Sequence, residues 1–125
     1  MGRMCQMINV DGRKCWTLFD TGSRNTYIIH KVASLLTTSK LKKSFRSALG
    51  GKIKETTETA LLGAEVEGCR ISTHAMVIDE IGDNENGIAI EILFGALAMQ
   101  QWGIRLIPEQ EKLDLTHYPE EFVEF

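Results

Sequence analysis

Proline and cysteine are scarce in this 125-residue chain, with two and three respectively, and aromatic residues make up only 7%. Two prolines argue against a proline-rich linker or a collagen-like repeat. Cys5, Cys15 and Cys69 are odd in number and form no C-x-x-C pair. They therefore offer neither a disulfide framework nor a zinc-type spacing, and a reducing compartment is the simplest reading. No apolar run approaches the eighteen or so residues of a membrane span. The opening Met-Gly-Arg-Met-Cys-Gln has neither a signal-peptide apolar core nor the Ser/Thr of a myristoylation signal. The expectation is a cytoplasmic product, independent from Met1 onward, with no membrane partner. An excess of positive charge is also missing: net charge is −3 and pI about 5.6, so no nucleic-acid partner is expected.

What is present suits a single globular domain spanning 1–125, with 43% hydrophobic and 25% charged residues. Short strands alternate with turn signals. Met4–Val10 and Lys14–Phe19 flank Asp11-Gly12, a hairpin dipeptide. Thr26–Ile29 reads as a strand, and His30–Thr38 takes a helical pattern through Val32, Leu35 and Leu36. Residues 41–54 are basic and contain Gly50-Gly51, which suits a mobile hairpin tip. Thr56–Val66 and Cys69–Asp79 pair across Glu67-Gly68, and Ile81–Gly87 is a polar loop. Ile88–Phe94 reads as an apolar strand interrupted by Glu91. Ala96–Trp102 reads as a helix stopped by Gly103. Ile104–Ile107 and Lys112–Leu115 close a hairpin around Pro108–Glu111, before a short acidic, aromatic tail. The fold class is mostly β, with one clear late helix and one weaker early one.

Within this pattern Phe19-Asp20-Thr21-Gly22-Ser23 stands out. An apolar strand delivers a carboxylate at a turn, beside hydroxyls and a glycine that lets the backbone pass close. Such a group suits acid/base work. The competing reading is a surface β-turn, in which Asp and Gly are common. The distant run Ile92-Leu93-Phe94-Gly95-Ala96-Leu97 weighs against the turn. Together with the opening hairpin and Gly103-Ile104-Arg105-Leu106-Ile107-Pro108, it resembles the retropepsin-like aspartic proteases, particularly their short bacterial and archaeal single-domain members. The similarity spans roughly residues 4–115. Its specific parts are the Asp20 motif and the apolar-Gly motif Leu93-Phe94-Gly95. Many relatives carry a charged or polar residue after that glycine, where this chain has Ala96-Leu97.

The resemblance implies a retropepsin-like closed β-barrel with one short C-terminal helix, forming the acid-protease fold as a homodimer. It implies Asp20 as the catalytic residue, supported by Thr21, Gly22 and Ser23. Thr21 would bond across the dyad, Gly22 would leave room for substrate and water, and Ser23 would bond the outer oxygen of Asp20. Gly50-Gly51 would be the flap tip, and residues near Ile28, Ile53 and Phe94 would wall the subsites. One carboxylate cannot be base and acid at once, whereas two about 3 Å apart share a proton and supply both. With one Asp-Thr-Gly per chain, the function implied is an aspartic endopeptidase, a homodimer acting on a polypeptide, with no cofactor and no metal. The alternative keeps the fold without the chemistry: a catalytically silent retropepsin-like dimer used as a binding or assembly module. The basic stretch at 40–54 is an ordinary solvated face or a steering surface for acidic substrates or nucleic acid. Leu97, Met99 and Trp102 fit core and dimer contacts. No GxSxG, P-loop or GxGxxG occurs.

Overall fold

The computed structural model describes residues 2–124. Strands β1 (Arg3–Val10) and β2 (Arg13–Asp20) form the opening hairpin in unbroken antiparallel register from Arg3–Asp20 to Val10–Arg13. Asp11 (φ 50°) and Gly12 (φ 81°) both occupy left-handed backbone at its turn, which a two-residue hairpin loop demands. Strand β3 (Tyr27–Ile29) leads into α1 (His30–Ala33), and β4 (Thr38–Leu49), β5 (Lys52–Val66) and β6 (Cys69–Ile78) follow as a long meander. Strand β7 (Ile92–Phe94), helix α2 (Ala96–Trp102) and the hairpin β8 (Arg105–Ile107) and β9 (Lys112–Asp114) complete the chain.

The main sheet runs β1-β2-β7-β3-β6-β5-β4, and an Asn9–Glu65 pairing joins β1 back to β5. Six strands thereby close on themselves around a core that includes Val10, Cys15, Phe19, Ile28, Leu62, Val66, Ile92 and Phe94. Strand β4 stays outside the ring as an edge. The fold is mostly β with one short C-terminal helix, as the sequence leads one to expect.

Three elements differ from that expectation. The helical pattern over 30–38 shrinks to one turn. Leu35 and Leu36 donate backbone N–H groups only three residues back, and β-branched Thr37 and Thr38 then enter the sheet beside Leu61 and Ala60. The apolar run 88–94 contributes a strand only at Ile92–Phe94, because it pairs with β2 over just those three residues and with β3 over Ile92 and Leu93. Before it, Ile88 is exposed and Glu91 turns its side chain onto β2. The basic segment lengthens into β4, which carries an irregularity between Lys40 and Phe45 where register with β5 slips.

Candidate active site

Asp20 is the last residue of β2, and its position follows from packing rather than from the turn. Strand β7 lies between β2, to which it is parallel, and β3, to which it is antiparallel. Phe19 pairs with Phe94 in register, and their rings pack at a tilt of 43° with centroids 5.0 Å apart, both fully buried. This aromatic anchor sits one residue before the carboxylate that ends β2. Leu18 and Asp20 share a face of β2, since strand side chains alternate. Leu18 belongs to a second apolar cluster with Tyr27, Ile78, Ile90 and Leu93. A half-buried carboxylate thus stands at the end of an apolar floor.

The turn is tied down bond by bond. The Gly22 N–H donates to Asp20 Oδ1 at 2.8 Å, and the Ser23 N–H donates to the Asp20 carbonyl at 3.1 Å. A free helix N-terminus would leave its first amides unpaired. Here Ala96 and Leu97 donate theirs to the carbonyls of Ser23 (2.6 Å) and Arg24 (3.1 Å), so α2 caps itself on the Asp20 loop. The Gly95 N–H donates to the buried Thr26 Oγ1 at 3.1 Å. Gly95 has extended backbone (φ −92°), so its requirement is space: a Cβ there would fall inside the carbonyl of Asn25 and 2.8 Å from the Arg24 oxygen. The Asp20 and apolar-Gly motifs are thus in direct contact.

The supporting residues occupy two kinds of place. Thr21 and Gly22 are exposed at the turn. The Thr21 hydroxyl accepts from the Gly2 N–H (2.8 Å) and donates to the Gly2 carbonyl (3.1 Å), so within one chain it is engaged by the N-terminal segment. The Ser23 hydroxyl donates to the Asn25 carbonyl (2.9 Å) rather than to Asp20, whose Oδ1 takes the Gly22 amide instead. Of the three positions near which subsite walls are expected, Ile28 and Phe94 are themselves wholly buried and Ile53 is exposed. Met99 is buried, Leu97 half-exposed, and Trp102 packs on Tyr118 and Phe122 of the tail.

Gly50 (φ 57°) and Gly51 (φ 80°) form the two-residue turn between β4 and β5. Near it Leu49 packs against the apolar floor, and the Tyr27 hydroxyl donates to Ser47 Oγ at 3.0 Å. Lys54, opposite Ser47 in the register, donates to Asp79 Oδ1 at 2.9 Å. The hairpin therefore lies against the floor that leads to Asp20.

Several contributors are silent in the sequence. Glu91, which reads as a flaw in an apolar run, accepts the Trp16 N–H (3.0 Å) on one oxygen and the Arg13 guanidinium on the other, extending the β2–β7 pairing. That hydrogen bond holds the Arg13 guanidinium above its ordinary pKa. Thr26, Tyr27 and Gly2 act through partners too distant in the chain to be read from spacing. Burial pushes the Cys15 and Cys5 thiols up, which keeps them protonated and poorly nucleophilic. Among the described residues no group of three or more His, Cys, Asp or Glu is placed to hold a metal, and no helix is long and apolar enough to cross a membrane.

The retroviral protease-like domain of Ddi1 from Leishmania major superposes with a TM-score of 0.64, over 93% of this chain and 90% of that domain, at 13% identity. The chain has the retropepsin-like fold. EIAV protease, in its complex with the inhibitor HBY-793, gives a TM-score of 0.57 over 85% of this chain and 93% of its own, at 17% identity. No family model and no curated protein matches the sequence. The retropepsin-like frame is thus carried by core packing and strand order, with the Asp20 turn and Gly95 at its crossing.

Proposed function

We propose that the chain is an aspartic endopeptidase that works as a homodimer. The observation that carries this reading is the half-buried Asp20 carboxylate, presented by an anchored strand, held on one oxygen by a backbone amide, and present once per chain. Two symmetry-related copies of Asp20 share one proton, so that one activates water while the other hydrogen-bonds the peptide carbonyl. A two-fold dimer supplies the second carboxylate through an isologous contact. Thr21 changes partner on dimerisation, exchanging Gly2 for the other loop. The substrate lies extended beside the Asp20 turn, paired as an added strand, with the β4–β5 hairpin as a flap whose tip is Gly50-Gly51. Ile53 is the exposed apolar residue nearest that tip. The three free thiols fit a reducing, cytoplasmic setting.

The test is peptide hydrolysis by the wild type and by Asp20→Asn, with folding followed in parallel. The expected outcome is loss of turnover by at least about 10³-fold at unchanged stability. Equal cleavage by both removes Asp20 as the base. One observation favours the silent binding module: the Thr21 and Ser23 hydroxyls are both satisfied within the chain. That reading predicts dimers that bind peptides and never cleave them.

A further inference from the structure

Beside the packing of Leu49, one rung of the hairpin β4–β5 carries polar side-chain ties to the rest of the domain. Ser47 and Lys54 are partners across it, so their side chains leave the same face, toward the floor on which Leu49 rests. Each is tied to a different part of the body: Ser47 accepts from Tyr27 on β3, and Lys54 reaches Asp79 just beyond β6. Glu80 Oε1 stands 3.9 Å from the same ammonium. The Asp79 carboxylate is oriented beforehand, because its Oδ1 also accepts the Glu80 N–H at 2.7 Å.

The burial of the ion pair is lopsided. The Lys54 side chain is 9% exposed, whereas that of Asp79 is 72% exposed. A buried ammonium without a partner carries a large desolvation cost, while an exposed carboxylate carries none. With the hairpin down, Lys54 depends on Asp79. With the hairpin lifted, both groups enter water and neither needs the other. The pair thus selects the lowered position without making the raised one prohibitive, as a reversible clasp requires.

We infer that Lys54–Asp79, with Glu80 in reserve and Tyr27–Ser47 beside it, is a latch that holds the hairpin over the apolar floor and must release to admit an extended ligand. The latch goes beyond the peptidase reading and does not depend on it, since a silent binding dimer would be gated in the same way. The charged groups facing Asp79 are Lys54 from β5 and Glu80 from its own segment. Hydrogen bonding from Lys54 holds the Asp79 carboxyl below its usual range. The sign follows: the latch is complete above the ordinary carboxylate pKa, about 3.9, and is lost as pH falls through the lowered value.

Backbone hydrogen exchange on the full chain tests this without any substrate. In Asp79→Ala/Glu80→Ala, amides of residues 47–56 should lose protection by about ten-fold at neutral pH, with β1, β2 and β7 unchanged. Adding Lys54→Met removes the stranded cation and should restore much of that protection. The wild type should show the same loss as pH falls through the lowered Asp79 value, beneath the ordinary carboxylate range, and the double variant should show no such step. Unchanged hairpin protection in the double variant, or a pH step that survives in it, overturns the latch. So does a failure of Lys54→Met to restore protection. Loss of peptidase activity alone bears on Asp20 and leaves these readouts standing.

Discussion

The Asp20 loop and the β4–β5 hairpin both present backbone turns toward the same apolar floor, yet they are built in opposite ways. Around Asp20 the backbone polar groups find partners inside the domain: Gly22 on Asp20, Ala96 and Leu97 on Ser23 and Arg24, Gly95 on Thr26. Adding a methyl group at Gly95 meets backbone atoms at once. The hairpin tip meets nothing: a Cβ on Gly50 or Gly51 has open space within 4 Å, and Phe45 and Ile53 stand in solvent. A loop that holds a reacting group in place needs over-determined geometry. A cover that admits a polymer needs few, reversible attachments.

Substitutions that move one region toward the character of the other sharpen this contrast. The largest effect belongs to Gly95→Ala, because the clash is with the backbone of Asn25 and cannot be relieved by a rotamer change. Chemical denaturation should report a loss of about 5 kcal/mol or more. Phe94→Ala follows, at about 3–5 kcal/mol, since it empties a fully buried site against Phe19. Phe45→Ala, on the hairpin, should stay within about 0.5 kcal/mol of the wild type. Equal losses at Phe94 and Phe45 would abolish the distinction between the regions.

Glu91→Ala comes next. It leaves the Trp16 amide and the Arg13 guanidinium without their acceptor at the edge of the β2–β7 pairing, and about 1–3 kcal/mol of stability should go with it. Smaller still, Gly51→Ala forces a non-glycine residue to φ 80° in open space and should cost about 1 kcal/mol, felt as hairpin fraying and not as global unfolding. Hydrogen exchange separates those two outcomes. The smallest expected signal is thiol chemistry. Native Cys15 should resist alkylation at neutral pH until the domain unfolds, since it is buried and its thiol is pushed up.

Much of the rigid region was legible because its signals are local and steric. Asp11-Gly12, Glu67-Gly68 and Gly50-Gly51 mark hairpins because left-handed backbone has few occupants, and Gly103 ends α2 at φ 67° for the same reason. Asp20 and Gly95 were recognisable as a pair through order and spacing. The partners of the site hydroxyls were not legible. Thr21 meets Gly2 and Thr26 meets Gly95 through folding of the ring, and nothing in their neighbourhoods encodes this. The helical spacing of Val32, Leu35 and Leu36 gave way to the pairing demand of Thr37 and Thr38. Glu91 and Lys54 were opaque for a related reason: a charged residue reads as an interruption or a solvated face until its partner is known. Ile28 and Phe94, near which the resemblance places subsite walls, are themselves core residues.

The measurement that bears most directly on the two-carboxylate dimer is a mixing experiment. Peptidase activity is followed as Asp20→Asn chains are added to a constant amount of wild-type chain and allowed to exchange subunits. If each site needs Asp20 from both chains, activity should fall as the wild-type fraction drops, because mixed dimers carry one carboxylate and turn over no peptide. Activity that stays constant across the titration, or no activity from the wild-type dimer alone, would contradict it.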